Sequence, residues 1–132
     1  MISSRRITYI VIGAMAAFIM FSVVSVGPKP VHTPSAVISI AEGSFLQGCE
    51  AEGICYIPQD LTVRKGATVT WNNDDTELHT VTSGASSETA ALEFDSGIME
   101  VGGSFEHTFE SAGTYEYHCT IHPWAKAVVV VR

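Results

Sequence analysis

Basic residues are scarce in this 132-residue chain, where 7 Lys and Arg stand against 14 Asp and Glu. From Pro28 onward only Lys29, Arg64, Lys65, Lys126 and Arg132 oppose the fourteen carboxylates, a formal charge of −9. That excludes a nucleic-acid partner, because neutralising phosphates needs clustered Lys and Arg. Cysteine is nearly missing as well, with Cys49, Cys55 and Cys119 the only three. There is no phosphate loop, no Ser/His/Asp arrangement and no second set of metal ligands, so the chain does not read as an enzyme. It also lacks internal repeats and low-complexity segments. Its length limits it to about one domain. At 46% apolar and 16% charged residues it is too apolar for a disordered tail.

Part of that apolar content forms one block. Residues 7–27 carry no charge and are long enough to cross a hydrocarbon core of roughly 30 Å as a helix. Arg5 and Arg6 precede the block, so the positive-inside rule leaves residues 1–6 in the cytoplasm and everything after Gly27 outside. A cleaved signal peptide has a shorter apolar core and a small-residue exit, and here Pro28 follows the only such exit. The block therefore reads as an uncleaved, single-pass anchor in the cell membrane, with cleavage as the alternative. Pro28, Pro30 and Pro34 make residues 28–35 a stiff, extended linker. Residues 36–132 are then an extracytoplasmic domain.

That domain reads as short strands. Residues 36–41, 54–58, 61–65, 67–71, 79–83, 104–109, 114–119 and 127–132 are each brief and rich in β-branched or aromatic side chains. Gly66, the run Asn72–Asp75, Gly84, Gly102, Gly103 and Gly113 supply turns between them. No long helical period competes, so an all-β sandwich is expected. Alternation places Tyr115, Tyr117 and Cys119 on one inward face and turns His118 outward. His118 thus reads as a structural residue, as does His107, flanked by Glu106 and Thr108 within a strand, and neither as a metal ligand.

Cys119 and His122 are separated by two residues, with Pro123 directly after, where a strand gives way to a loop. His79 follows the polar stretch from Asn72 to Leu78 and opens another strand. Two histidines and one thiolate are the trigonal set that selects copper in electron-transfer sites, usually completed by a weak axial ligand. Zinc would want a fourth strong ligand. Cys49 and Cys55, in an oxidising compartment, read as a disulfide pinning a loop. Cys119 remains the single free thiol.

The segments 71–81, 94–97, 104–109 and 113–124 resemble the cupredoxin family of blue copper proteins, in particular its plastocyanin- and amicyanin-like members and membrane-anchored archaeal ones. The resemblance spans essentially the whole domain. Its specific part is a strand-initial His after an Asn/Asp turn, joined to a downstream Tyr-x-Tyr-x-Cys-x-x-His-Pro. It implies a cupredoxin-like Greek-key β-sandwich behind the anchor. It also implies one copper ion per chain, shuttling between Cu+ and Cu2+ on His79, Cys119 and His122. The backbone N–H of Thr80 is expected to donate to the thiolate, and Asn72 or Asn73 to fix the ligand loop. Short-loop members carry a methionine three residues after the second histidine; here that position is Ala125.

Three readings of Ala125 stay open. The site is trigonal with no axial side chain, which favours Cu+; or the Leu78 carbonyl or a water approaches; or the site has drifted away from electron transfer. Met99 is a further candidate for a weak axial contact, although packing beside the site is its ordinary role, and Glu77 reads as a solvated turn residue. Pro123 and Trp124 beside His122, with Ala125 and Ala127, are expected to form the apolar surface on which a redox partner docks. The function implied is single-electron shuttling between respiratory redox partners such as membrane complexes, with no small-molecule substrate. Copper storage or delivery is the competing class. A dinuclear copper centre would need two cysteines in the ligand loop, and only Cys119 is there.

Overall fold

The computed structural model describes residues 35–84 and 92–132. The expected cytoplasmic segment 1–6, the anchor 7–27 and the linker up to Pro34 lie outside the described residues. Among the described residues, no helix is long and apolar enough to cross a membrane. The strands are β1 (Ser35–Ile40), β2 (Tyr56–Ile57), β3 (Asp60–Val63), β4 (Thr68–Asn73), β5 (Thr82–Ser83), β6 (Ser104–Thr108), β7 (Gly113–His118) and β8 (Lys126–Val131). One helical turn, α1 (Cys49–Glu52), lies between β1 and β2.

The strands form two four-stranded sheets, ordered β2-β1-β4-β6 and β3-β8-β7-β5. Pairing is antiparallel except for β1 with β4 and β3 with β8. Period-two alternation decides which side chains face inward. In β4 these are Val69, Trp71 and Asn73; in β8 they are Ala127, Val129 and Val131. Between the sheets Trp71 is wholly buried, its ring centroid 5.5–6.4 Å from those of Phe94, Phe105, Phe109 and Tyr117. Each such buried aliphatic or aromatic side chain contributes roughly 1.5–3 kcal/mol.

Three expectations about local structure are corrected. Asn72 and Asn73 are not turn residues: β4 runs through both, because its inward face extends to Asn73, and the turn begins at Asp74. Gly113 opens β7 instead of preceding it. The linker expected to reach residue 35 also gives up Ser35, which pairs with Thr68 as the first residue of β1.

Candidate metal centre

The end of β4 and the end of β7 deliver the two halves of the site. Past Asn73 the chain turns through Asp74–Leu78 and returns at His79, which forms an isolated antiparallel bridge with Met99. Met99 N–H donates to the His79 carbonyl at 2.8 Å and His79 N–H to the Met99 carbonyl at 3.3 Å. Asn73 sets this return. Wholly buried, its Nδ2 donates to the carbonyls of Glu77, Met99 and Glu100 at 2.9–3.2 Å, while its Oδ1 accepts from Asp75 N–H. Asn72 lies on the opposite face of β4. The turn Glu100–Gly103 that offers one of those carbonyls requires glycine at its end, since a Cβ on Gly103 would lie 2.9 Å from the Glu100 carbonyl oxygen.

β7 ends at His118, and Cys119 follows with no exposure. The loop after it closes on itself: Cys119 N–H donates to the Ala125 carbonyl at 3.0 Å and Ala125 N–H to the His122 carbonyl at 2.8 Å. Thr80 joins the halves. Its N–H donates to Cys119 Sγ at 3.3 Å, and its hydroxyl oxygen accepts from Thr120 N–H at 2.8 Å. From the opposite sheet, Tyr56 Oη donates to the Thr80 carbonyl at 3.0 Å.

These contacts bring His79, Cys119 and His122 together, one ligating atom of each lying within 4.8 Å of the others. His122 Nδ1 is 3.7 Å from Cys119 Sγ, and the two imidazole centroids are 4.8 Å apart. His79 is wholly buried, and its Nε2 meets Asp75 Oδ2 at 2.8 Å. With Nε2–H donating to that carboxylate, Nδ1 carries the lone pair. Among the described residues Nδ1 has no hydrogen-bond partner. A buried ring nitrogen without a partner, aimed beside a thiol, is the feature a soft metal ion satisfies, and the His2Cys donor set fits copper.

Charge inside the site follows from the same contacts. Burial pushes the Cys119 thiol up, but His79 and the N–H groups of Thr80, His122 and Ile121 outweigh it and bring the pKa down to about 6. Burial likewise opposes charge on Asp75, yet the Gly43 N–H, His79 and the Thr76 N–H hold its carboxyl below the usual range. For His79 burial favours the neutral ring, and Cys119 and then Asp75 outweigh it and raise the pKa. Thiolate and carboxylate therefore flank His79 on opposite edges.

The remaining sequence candidates fall around this core. Met99 is buried at 5% exposure and paired through its backbone to His79. Glu77 and Leu78 are exposed, and Pro123 is exposed beside a half-buried Trp124 whose ring lies 5.4 Å from that of His122. Ala125 and Ala127, expected on the apolar docking surface, are instead buried at 0% and 8%. Ala125 is sealed by its two loop hydrogen bonds, and Ala127 faces inward by the parity of β8. The apolar side chains that do face solvent here are Leu78, Ile98 and Ile121, each directly before His79, Met99 or His122. His118 turns outward, its Nδ1 3.0 Å from the Gly84 carbonyl, and His107 packs 4.8 Å from the rings of both Phe94 and Phe109. Cys49 and Cys55 form the disulfide, their Cα atoms 5.0 Å apart.

Comparison with known proteins agrees with this geometry. Residues 44–132 match the model of the copper binding proteins of the plastocyanin/azurin family. The chain belongs to this family. It is 35% identical over 105 residues to amicyanin from Paracoccus denitrificans, covering 78% of this chain and 76% of that one. It is also 32% identical over 94 residues to plastocyanin from Scenedesmus fuscus, covering 64% and 94%. Among solved structures, a purple cupredoxin from Nitrosopumilus maritimus superposes with a TM-score of 0.65 at 36% identity, covering 74% of this chain and 99% of that one. A methionine-to-alanine mutant of amicyanin in its Cu(I) form superposes with a TM-score of 0.58 at 34% identity, covering 74% and 82%. The two-sheet sandwich is thus that of a cupredoxin, and its cofactor is copper. Cupredoxins such as amicyanin and plastocyanin are electron carriers, not enzymes.

Sequence reading did not single out Asp75. The signal was present, since a carboxylate four residues before a ligand histidine can reach back to its ring. Within Asn72–Asp75, however, it was indistinguishable from a turn former.

Proposed function

We propose that this cupredoxin carries single electrons outside the cell membrane, tethered by residues 7–27, with copper on His79, Cys119 and His122 and no methionine sulfur in the axial position. Copper supplies the one-electron chemistry; the chain supplies a cage that changes little between oxidation states. The observation that carries this reading is the unpartnered, buried Nδ1 of His79 beside the Sγ of Cys119. Thr80 and the self-closed loop from Cys119 to Ala125 hold those atoms in place, which limits reorganisation. His122 keeps a partly open edge next to exposed Pro123, Leu78 and Ile121, and this apolar rim is the docking face for respiratory redox partners.

Ala125 stands where short-loop relatives place their methionine. The axial side is left to no ligand, to the Leu78 carbonyl, to a water or to Met99. The same substitution favours a second reading, copper storage or delivery, because a trigonal His2Cys site suits Cu(I). Copper titration of the purified full-length chain, followed by visible absorption and electron paramagnetic resonance, tests the proposal. An intense thiolate-to-copper band with narrow hyperfine splitting at one ion per chain is expected. A weak, ordinary copper–imidazole signal would leave storage or delivery as the better reading.

A further inference from the structure

Asp75 does not orient His79 unaided. It is itself held by the loop between β1 and β2, where Gly43 N–H donates to its Oδ1 at 3.0 Å and Phe45 N–H to its Oδ2 at 3.2 Å. Thr76 N–H adds a bond to Oδ1 at 2.7 Å. The loop is short of regular structure and is fixed by other means. Gly43 takes a left-handed φ of 87°, and the wholly buried Ser44 hydroxyl reaches the carbonyls of Ala41 and Cys55. Ala41 N–H also donates to the Cys55 carbonyl, and the disulfide joins Cys55 to Cys49. An unbroken path therefore runs from the disulfide through Ser44, Gly43 and Phe45 to Asp75, and from there to Nε2 of His79.

Resting on the copper reading above, we propose that the Cys49–Cys55 disulfide is a positioning device for His79, so that only the oxidised chain retains copper tightly. With the loop closed, Asp75 holds the Nε2–H tautomer and presents a bare Nδ1. With it open, Asp75 loses Gly43 and Phe45, and the Nε2–H tautomer and ring orientation that leave Nδ1 ready to ligate are no longer enforced. Open thiols also compete for the ion: Cys49, Glu50 and Cys55 place their ligating atoms within 4.8 Å of one another, and soft thiolates favour Cu(I). Closure occurs by exchange with a disulfide of another protein. The Cys49 and Cys55 sulfurs join, the partner's S–S bond breaks, and its two sulfurs take up the two electrons and two protons. The bond is buried, at 5% and 2% exposure for its two residues, so once made it works as a lock.

The test uses full-length protein and three changes: the pair Cys49→Ala with Cys55→Ala, Asp75→Asn, and Ser44→Ala. Ser39→Ala is the control, because Ser39 bonds Asp74 and not Asp75. Two readouts are taken: transfer of Cu(I) to a chromogenic chelator, and the 15N shifts of the His79 ring in metal-free protein at mildly alkaline pH. Retention is expected to weaken about 10- to 100-fold in the three changed proteins. Mixed tautomers should appear at His79 in each, and the control should match wild type. Wild-type retention and a single Nε2–H tautomer in the disulfide-free protein would overturn the proposal. If that protein does not fold, the same result in both Asp75→Asn and Ser44→Ala overturns it. A wild-type chain that shows the Nε2–H tautomer but forms no thiolate–copper band would sink the copper reading while leaving the positioning path standing.

Discussion

Ala125 is the residue on which the chemistry of the site turns most sharply. It is wholly buried and hydrogen-bonded at both backbone groups, and in the function proposed above it stands where short-loop relatives place a sulfur ligand. Ala125→Met is expected to lower the reduction potential and change the thiolate-to-copper band, since axial ligand identity is one of the levers on potential. The added volume should cost about 1–3 kcal/mol of stability. Voltammetry and absorption on the copper form check this; an unchanged potential and spectrum would mean that position 125 does not face the metal. His107 illustrates a different effect. Burial against Phe94 and Phe109 depresses its pKa, with Glu93 opposing. The unfolded chain therefore binds this proton more readily than the folded one, so its stabilising contribution is present above the ordinary histidine value and is lost as pH falls through the folded value. His107→Phe should remove that part of the acid sensitivity, seen as a smaller drop in urea midpoint between about pH 7.5 and about pH 5 than in wild type.

Among the elements, β4 is the one that links core to site. Its inward face presents Val69 and Trp71 to the hydrophobic interior and Asn73 to the ligand turn. Trp71→Ala is expected to cost about 3–5 kcal/mol in a denaturant melt, the range for deleting a large buried aromatic. The eight strands were legible in the sequence because each carries its own short alternation between turn residues. The run 79–83 was legible only in part: Thr82 and Ser83 form β5, whereas His79 is tied by a single bridge to Met99, a partner no local pattern announces. Helix α1 was invisible because four residues cannot display a helical period. The candidate ligands stood out through residue type and spacing. Of their supports, Thr80 and Asn73 were legible through the resemblance, whereas Asp75 and Ser44 were not, since both are tied to backbone groups more than ten residues away in sequence.

At the scale of the whole molecule the acidic balance governs encounters. With a formal charge of −9 from Pro28 onward, the domain attracts basic partners at long range. The bimolecular rate of electron exchange with a basic redox protein should fall as ionic strength rises from about 0.01 M to about 0.15 M, over which the screening length shrinks from about 30 Å to about 8 Å. Stopped-flow measurement across that range checks it, and a flat profile would mean that the charge serves solubility alone. The sheet order has a consequence for how such a molecule is made. Among the described residues, only β1–β2 and β7–β8 pair strands that are neighbours in sequence; the other four pairings skip at least one strand, and β3 waits for β8 across most of the domain. Folds of this kind assemble on a time scale of about milliseconds to seconds. Because Cys119 and His122 lie between β7 and β8, while His79 comes just before β5, the cage cannot exist until β7 has found both β5 and β8, which makes it a late product of the long-range pairings.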